Sequence, residues 1–260
     1  MKIDYFENID CLLGIKKIPN ESIDLTLTSP PYDNLRSYNS NFDFESIAIE
    51  LFRITKKGGV VVWVCGDATC KGSETGTSFR QALFFKEIGF NIHDTMIYSS
   101  NKPPLNHNRY EQKFEYMFVF SRGKPKTFNP IKEPCKLSGI NTSKRSYRGK
   151  DGGLYPYHSN EKVKEEKIHG NIWFYETGNN KSTKDKIAFK HPAIFPEKLA
   201  LDQIISWSNP GDIILDPFLG SGTVAKMAYL SKRHYIGFDI QKEFIQLSEI
   251  RMEQTKNIII

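Results

Sequence analysis

Long apolar runs are missing from this chain. No stretch approaches the roughly 18 uninterrupted apolar residues of a membrane helix, and the opening Met1-Lys2-Ile3-Asp4-Tyr5 lacks the apolar core of a signal peptide. A cytoplasmic protein without membrane association is the expectation. Cysteine is sparse too. Cys11, Cys65, Cys70 and Cys135 form no C-x-x-C pair and do not cluster with histidines, so neither a metal site nor a disulfide framework is expected. Internal repeats and low-complexity tracts are also lacking. The chain does have 260 residues with 39% hydrophobic content, enough for a full core, and its length suits one α/β domain carrying an insertion.

An excess of positive charge is absent everywhere but in one segment. Arg122 to Lys167 holds twelve Lys and Arg against five Asp and Glu, which exceeds the +6 of the whole chain. The same segment carries Gly139, Gly149, Gly152 and Gly153 among the rings of Phe128, Tyr147, Tyr155, Tyr157 and His158. A basic, glycine-punctuated, aromatic insertion suggests nucleic acid; a solvated lysine-rich loop is the plainer alternative.

Around it, short apolar runs alternate with helical patterns. Ile23 to Leu27, Gly59 to Cys65, Asn91 to Tyr98 and Phe114 to Phe120 read as strands, with helices at Phe42 to Thr55 and Thr77 to Ile88. The last two strands have no helix between them, which predicts an antiparallel pair near a sheet edge. After the insertion, Pro196 to Trp207 reads as a helix, followed by a turn, a strand at Ile213 to Leu215, a helix at Thr223 to Ser231, a strand at His234 to Phe238 and a helix from Gln241. Asn257 to Ile260 reads as a frayed end or a short strand.

Two strand ends stand out. The strand at Ile23 to Leu27 runs into Thr28-Ser29-Pro30-Pro31-Tyr32. A Pro-Pro pair gives no N–H to a sheet and holds the residue before each proline extended, so it presents Ser29 and Tyr32 in set positions. The strand at Ile213 to Leu215 runs into Asp216-Pro217-Phe218-Leu219-Gly220-Ser221-Gly222-Thr223-Val224-Ala225, and Asp239 ends the next strand. Glycines let a backbone approach a ligand, and a carboxylate there can accept from ribose hydroxyls. This fits either a nicotinamide dinucleotide or S-adenosylmethionine. Asp216 before the loop suits a cationic ligand and disfavours a pyrophosphate, and too little chain follows for a second dinucleotide half. An NAD-dependent dehydrogenase therefore ranks below a methyltransferase. Ligands of open parallel sheets bind beyond strand carboxyl ends where strand order reverses, so both motifs face one cleft if their strands are neighbours.

Thr28 to Tyr32, the Phe218-x-Gly220-x-Gly222 loop and His191-Pro192-Ala193-Ile194-Phe195-Pro196-Glu197-Lys198-Leu199 resemble the signature segments of amino-group DNA methyltransferases, the N4-cytosine and N6-adenine family. The order, catalytic motif first, is similar to that of its beta group. The resemblance implies a Rossmann-like S-adenosylmethionine-dependent sheet of α/β class with circularly permuted motifs. It divides the chain into a catalytic half at 1–121, a target-recognition insertion at 122–170 and a cofactor-binding half at 171–260.

It also implies roles. Ser29 and the Pro30 carbonyl would accept from the target amine, Pro31 would set the geometry, and Tyr32 would stack on a base flipped out of the duplex. Asp216, Phe218, Gly220, Ser221, Gly222 and Thr223 would surround the methionine part of S-adenosyl-L-methionine, with Asp239 and Ile240 at the ribose. His191, Pro192 and Phe195 would line the pocket, with Asp10 at the adenine edge. Plainer roles stand beside these: Asp10 or Asp239 as a helix cap, His191 as a packed core histidine. No catalytic thiol is implied, since Cys135 lies in the basic insertion.

Ser29 at the head of the motif favours cytosine N4 as the target; adenine N6 is the alternative. Double-stranded DNA is the expected partner, with Lys144, Arg145, Arg148 and Lys150 as contacts and Arg36 and Lys102 adding to them. The insertion is short for a recognition domain, which calls for a short site or a second subunit, a homodimer included. A cognate restriction endonuclease is typical of the family. A DNA-binding protein on an inactive methyltransferase fold is the remaining alternative.

Overall fold

The computed structural model describes residues 1–31, 43–101, 109–140, 146–156 and 162–258. In chain order the elements are β1 (Tyr5–Asn8), α1 (Cys11–Lys16), β2 (Ile23–Thr28), α2 (Phe44–Ile54), β3 (Thr55–Cys65), β4 (Thr69–Cys70), β5 (Ser73–Glu74), α3 (Thr77–Glu87), β6 (Asn91–Ser100) and β7 (Phe114–Ser121). Then follow β8 (Lys132–Pro134), β9 (Ser146–Arg148), β10 (Leu154–Pro156), β11 (Glu166–Ile168), β12 (Ile172–Tyr175), α4 (Glu197–Trp207), β13 (Ile213–Asp216), α5 (Thr223–Leu230), β14 (His234–Asp239) and α6 (Lys242–Ile258). Contacts divide the chain into residues 1–129 with 171–260, and residues 130–170.

The larger unit holds an eight-stranded sheet in the order β1-β14-β13-β2-β3-β7-β6-β12, parallel throughout except for β7. Strands of such a sheet are covered on both faces, and β2 shows it: all six of its residues are buried. Its alternation is therefore not apolar-in, polar-out. Asp24 accepts from Lys56 Nζ and Lys126 Nζ, each at 2.7 Å, and from the Ile213 N–H at 3.0 Å, and these bonds hold its carboxyl below the usual range against its burial.

On one face, Trp63, Phe85, Phe90, Phe120 and Phe238 form an aromatic-rich core with apolar residues of α1, α2 and α3. The other face is covered by α4 together with α5 and α6. Met117 alternates with Phe118 along β7, and its sulfur meets the Gln203 side chain while Phe118 faces the aromatic core.

The structure departs from the sequence expectations at the sheet's edges. The antiparallel pair β6–β7 lies near one edge as expected, but the edge strand itself is β12, four residues long and too short to show a period. β1 and α1, four and six residues long, form because β14 supplies β1 with a parallel partner. β3 starts at Thr55 directly after α2, and its register against β2 shifts between Ile23 and Leu25, beside Gly58 at φ +77°. At the other terminus α6 continues through Ile258, so Asn257 and Ile258 are helical; Ile259 and Ile260 lie outside the described residues.

The unit of residues 130–170 holds two short antiparallel ribbons, β8 with β11 and β9 with β10.

Candidate active site

β2 and β13 are adjacent and parallel, with Leu25 opposite Ile214 and Thr26 opposite Leu215. The Pro-Pro exit and the glycine loop thus leave the same edge side by side. Between them opens a cleft of about 770 Å³, within the range of small-molecule sites. Ser29, Pro30 and Pro31 line it from the β2 exit. Asp216, Phe218, Gly220, Ser221 and Thr223 line it from the loop, Asp239 and Ile240 from the end of β14, His191 and Phe195 from the segment before α4, and Asp10 from the start of α1. Two of the expected cofactor residues do not line it. Pro192 is exposed, and Gly222 caps α5. Tyr32, Arg36, Lys102, Lys144 and Arg145 lie outside the described residues; Arg148 and Lys150 are exposed in the smaller unit.

Asp216 is held at the cleft from two sides. Its side chain is buried, and it accepts from Thr28 Oγ1 at 2.7 Å and from the Phe218 N–H at 3.1 Å. Burial pushes its carboxyl up to about 7, helped by the nearby Asp239 and opposed by those two hydrogen bonds. No cationic side chain among the described residues hydrogen-bonds it. Asp239 is also raised by burial, although its oxygens accept from the Gly220 and Gln241 N–H groups, each at 2.9 Å. It therefore holds the glycine loop and the turn into α6 at once, and each oxygen keeps a lone pair for a ligand hydroxyl. Asp10 caps α1, accepting from the Leu12 and Leu13 N–H groups at 3.0 and 3.2 Å.

The glycines of the loop serve the backbone and a close approach together. Gly220 and Gly222 sit at φ +52° and +74°. A Cβ on Gly220 would come within 3.0 Å of His191 Nε2, and one on Gly222 within 2.7 Å of Ser248 Oγ. His191 is placed by its Nδ1 against Ala193 and by an edge contact with Phe244, ring centroids 4.3 Å apart.

Sequence reading missed what braces these parts. Arg251 of α6, fully buried, donates through Nη1 to the Ser221 carbonyl and, at 3.2 Å, to Thr223 Oγ1. Its other nitrogens reach Asp185 Oδ2 at 3.1 and 3.2 Å and Glu197 Oε1 at 2.9 Å. Lys226 of α5 meets the same two carboxylates at 2.6 and 2.7 Å. Asp185 and Glu197 bracket the segment that carries His191 and Phe195, so two carboxylates and two cations tie it to the glycine loop. An arginine in a helix and an acid in a loop give no such signal in one dimension. Beyond Ser29 the cleft continues to Tyr98, Ser100, Glu115 and Thr177, from β6, the start of β7 and the residues after β12. Their only sequence signal is their place at the same sheet edge.

A desolvated carboxylate pair beside a positive-φ glycine loop, at carboxyl ends of parallel strands, suits a ligand that brings a positive charge and hydroxyl groups and would repel a pyrophosphate. That combination defines a Rossmann-like cofactor-binding enzyme. The N6/N4-type DNA methylase model matches residues 23–250, and the chain belongs to that family. The orphan methyltransferase M.BamHII of Bacillus amyloliquefaciens is 57% identical over 243 residues, covering 92% of this chain and 91% of that protein. Among solved structures, the cytosine-N4-specific PvuII DNA methyltransferase superposes with a TM-score of 0.69 at 22% identity, covering 97% of this chain and 90% of that one. A complex of M1.HpyAVI with S-adenosylmethionine superposes with a TM-score of 0.64 at 24% identity, covering 95% and 98%.

Proposed function

We propose that this DNA amino-methyltransferase acts on the exocyclic N4 of cytosine in duplex DNA. The observation that carries the choice of base is Ser29, a hydroxyl rather than a carboxylate at the head of the Pro-Pro motif, lining the cleft beside the Asp216 loop. The methyl donor is S-adenosyl-L-methionine, which supplies an electrophilic methyl group on a sulfonium when bound. Asp216 holds its ammonium group, Asp239 its ribose, Asp10 its adenine edge, and Gly220 to Thr223 shape the loop around it, with His191 and Phe195 as the opposite wall.

An exocyclic amine is a poor nucleophile because its lone pair is delocalised into the ring. Hydrogen bonds from the amine to Ser29 Oγ and the Pro30 carbonyl draw that pair out of the ring plane, and Pro31 keeps the two acceptors in place. Tyr32 stacks on the flipped base. Residues 122–170 select the target, with Arg148 and Lys150, and also Arg36, Lys102, Lys144 and Arg145, contacting DNA. The name orphan methyltransferase, carried by the 57% identical relative, supports action without a cognate endonuclease over the restriction–modification role that the family resemblance implies.

Incubation with methyl-labelled S-adenosyl-L-methionine and mixed duplex DNA, followed by digestion to nucleosides, tests the reading. Label in N4-methylcytosine is expected. Label in N6-methyladenine would overturn the choice of base and leave the enzyme class intact.

A further inference from the structure

Residues 130–170 contain two ribbons of opposite electrostatic character. In the β8–β11 ribbon the charges answer one another across the strands: Lys132 lies 3.6 Å from Glu166, Lys167 2.8 Å from Glu133, and His169 3.5 Å from the same Glu133 carboxylate. The β9–β10 ribbon is not balanced in this way. Arg148 and Lys150 have no acidic partner among the described residues. The acid between them and β10, Asp151, is occupied inside the turn, where it accepts from the Tyr155 hydroxyl and, at 3.0 Å, from the Gly153 N–H.

That turn is also braced. The Tyr155 ring lies over Gly149 and Gly153, so closely that a Cβ on either glycine would meet it at 2.7 or 2.9 Å. Arg148 Nη1 donates to the Gly152 carbonyl at 2.9 Å, which steadies the guanidinium and leaves its other donors available. Register places Arg148 opposite Leu154 and Tyr147 opposite Tyr155, so one face of the ribbon presents a guanidinium beside a leucine that is 67% exposed, and the other carries the tyrosine pair that braces it.

We propose that the β9–β10 ribbon is the DNA-reading element of this unit, with the Arg148–Leu154 face turned to the base edges and the β8–β11 ribbon as its charge-balanced support. The proposal rests on the DNA methyltransferase reading above. A two-stranded ribbon fits the major groove, where a guanidinium pairs with guanine O6 and N7 and an apolar side chain meets the thymine methyl. Preformed geometry matters here because it reduces the ordering cost of binding.

The test compares Arg148→Ala, Leu154→Ala and Lys167→Ala in the full-length protein, using a duplex that carries the site found by mapping methylated positions and a duplex that lacks it. Arg148→Ala should weaken binding to the target duplex about tenfold or more, leave the unrelated duplex within about twofold, and relax selectivity at one base pair. Leu154→Ala should act in the same direction, and Lys167→Ala should stay near the parent. Equal weakening on both duplexes by Arg148→Ala, or a larger effect from Lys167→Ala, would overturn the proposal. Binding of S-adenosyl-L-methionine, measured in parallel, should be unchanged in all three variants; loss of it in Arg148→Ala would also count against the assignment. A parent protein that binds the cofactor and methylates no duplex would instead refute the underlying reading.

Discussion

Thr28 Oγ1 donates to Asp216 Oδ1 at 2.7 Å, across 188 residues of sequence. The bond joins the last residue of β2, immediately before Ser29, to the last residue of β13, immediately before the glycine loop. It ties the Pro-Pro exit to the glycine loop, so the two cannot shift independently without breaking it. Thr28→Val keeps the shape and removes the donor. Hydrogen bonds to charged groups are worth about 1.5–3 kcal/mol, so cofactor affinity measured by titration calorimetry should fall roughly tenfold or more, and Thr28→Ser should recover most of it.

Asp216 should make cofactor binding pH-dependent. Its carboxyl is raised from 3.8 to about 7 by burial, so between those two values the folded protein without ligand binds a proton there that the unfolded chain releases. The sign follows: this group's contribution to stability is fully present below the unfolded value and declines as pH rises through about 4 to 7. A ligand ammonium favours the ionised form, so affinity for S-adenosyl-L-methionine should rise with pH over the same window and binding should release a proton. Calorimetry in buffers of different ionisation enthalpy reads that release; in Asp216→Asn it should vanish.

Removal of Arg251 from its cluster leaves the half-buried Asp185 and Glu197 to share Lys226 and takes a donor from the Ser221 carbonyl and Thr223 Oγ1. Arg251→Met should therefore cost about 1–3 kcal/mol in denaturant unfolding, the range for hydrogen-bonding groups left without a partner. Arg251→Lys, which keeps the charge but loses the fork that reaches Ser221 and Thr223, should restore stability more than it restores cofactor affinity.

Gly222→Ala forces a Cβ to within 2.7 Å of Ser248 Oγ at φ +74°. The left-handed backbone alone costs about 1–2 kcal/mol, and the contact adds to it. Because Ser248 also donates to the Gly220 carbonyl at 3.1 Å, the displaced serine should disturb the loop, and cofactor affinity should drop along with the melting temperature.

The two motifs should separate kinetically. Tyr32→Ala should lower methyl transfer far more than cofactor binding, and Asp239→Ala should weaken cofactor binding first. The reverse pattern, in paired measurements of kcat and cofactor Kd, would undo the assignment of the two segments.

The alternating apolar strands, the Pro-Pro exit and the glycine loop were legible because each depends on residues close together in the chain: a proline without an N–H, a glycine at positive φ, an acid at a strand end. The fold class and the adjacency of two strand ends follow from them once a parallel sheet is assumed. β1 and β12 were not legible, since strands of four residues owe their existence to the neighbours β14 and β6. Nor were the partners of the polar residues buried in β2, since Asp24 and Thr28 are satisfied by Lys126 and Asp216 from distant segments.

By itself, the sequence determined the chemistry available at the cleft: a hydroxyl held by two prolines, a loop that only glycine can shape, and carboxylates where strands end. Tertiary structure decided which of those groups are desolvated and what holds them. Asp216 differs from an exposed aspartate through burial, the Thr28 hydroxyl, the Phe218 N–H and the nearby Asp239, and Arg251 reaches the glycine loop only because α6 packs beside it. Electrostatic strength depends on the local medium and on distance in space, and neither is written in the order of residues.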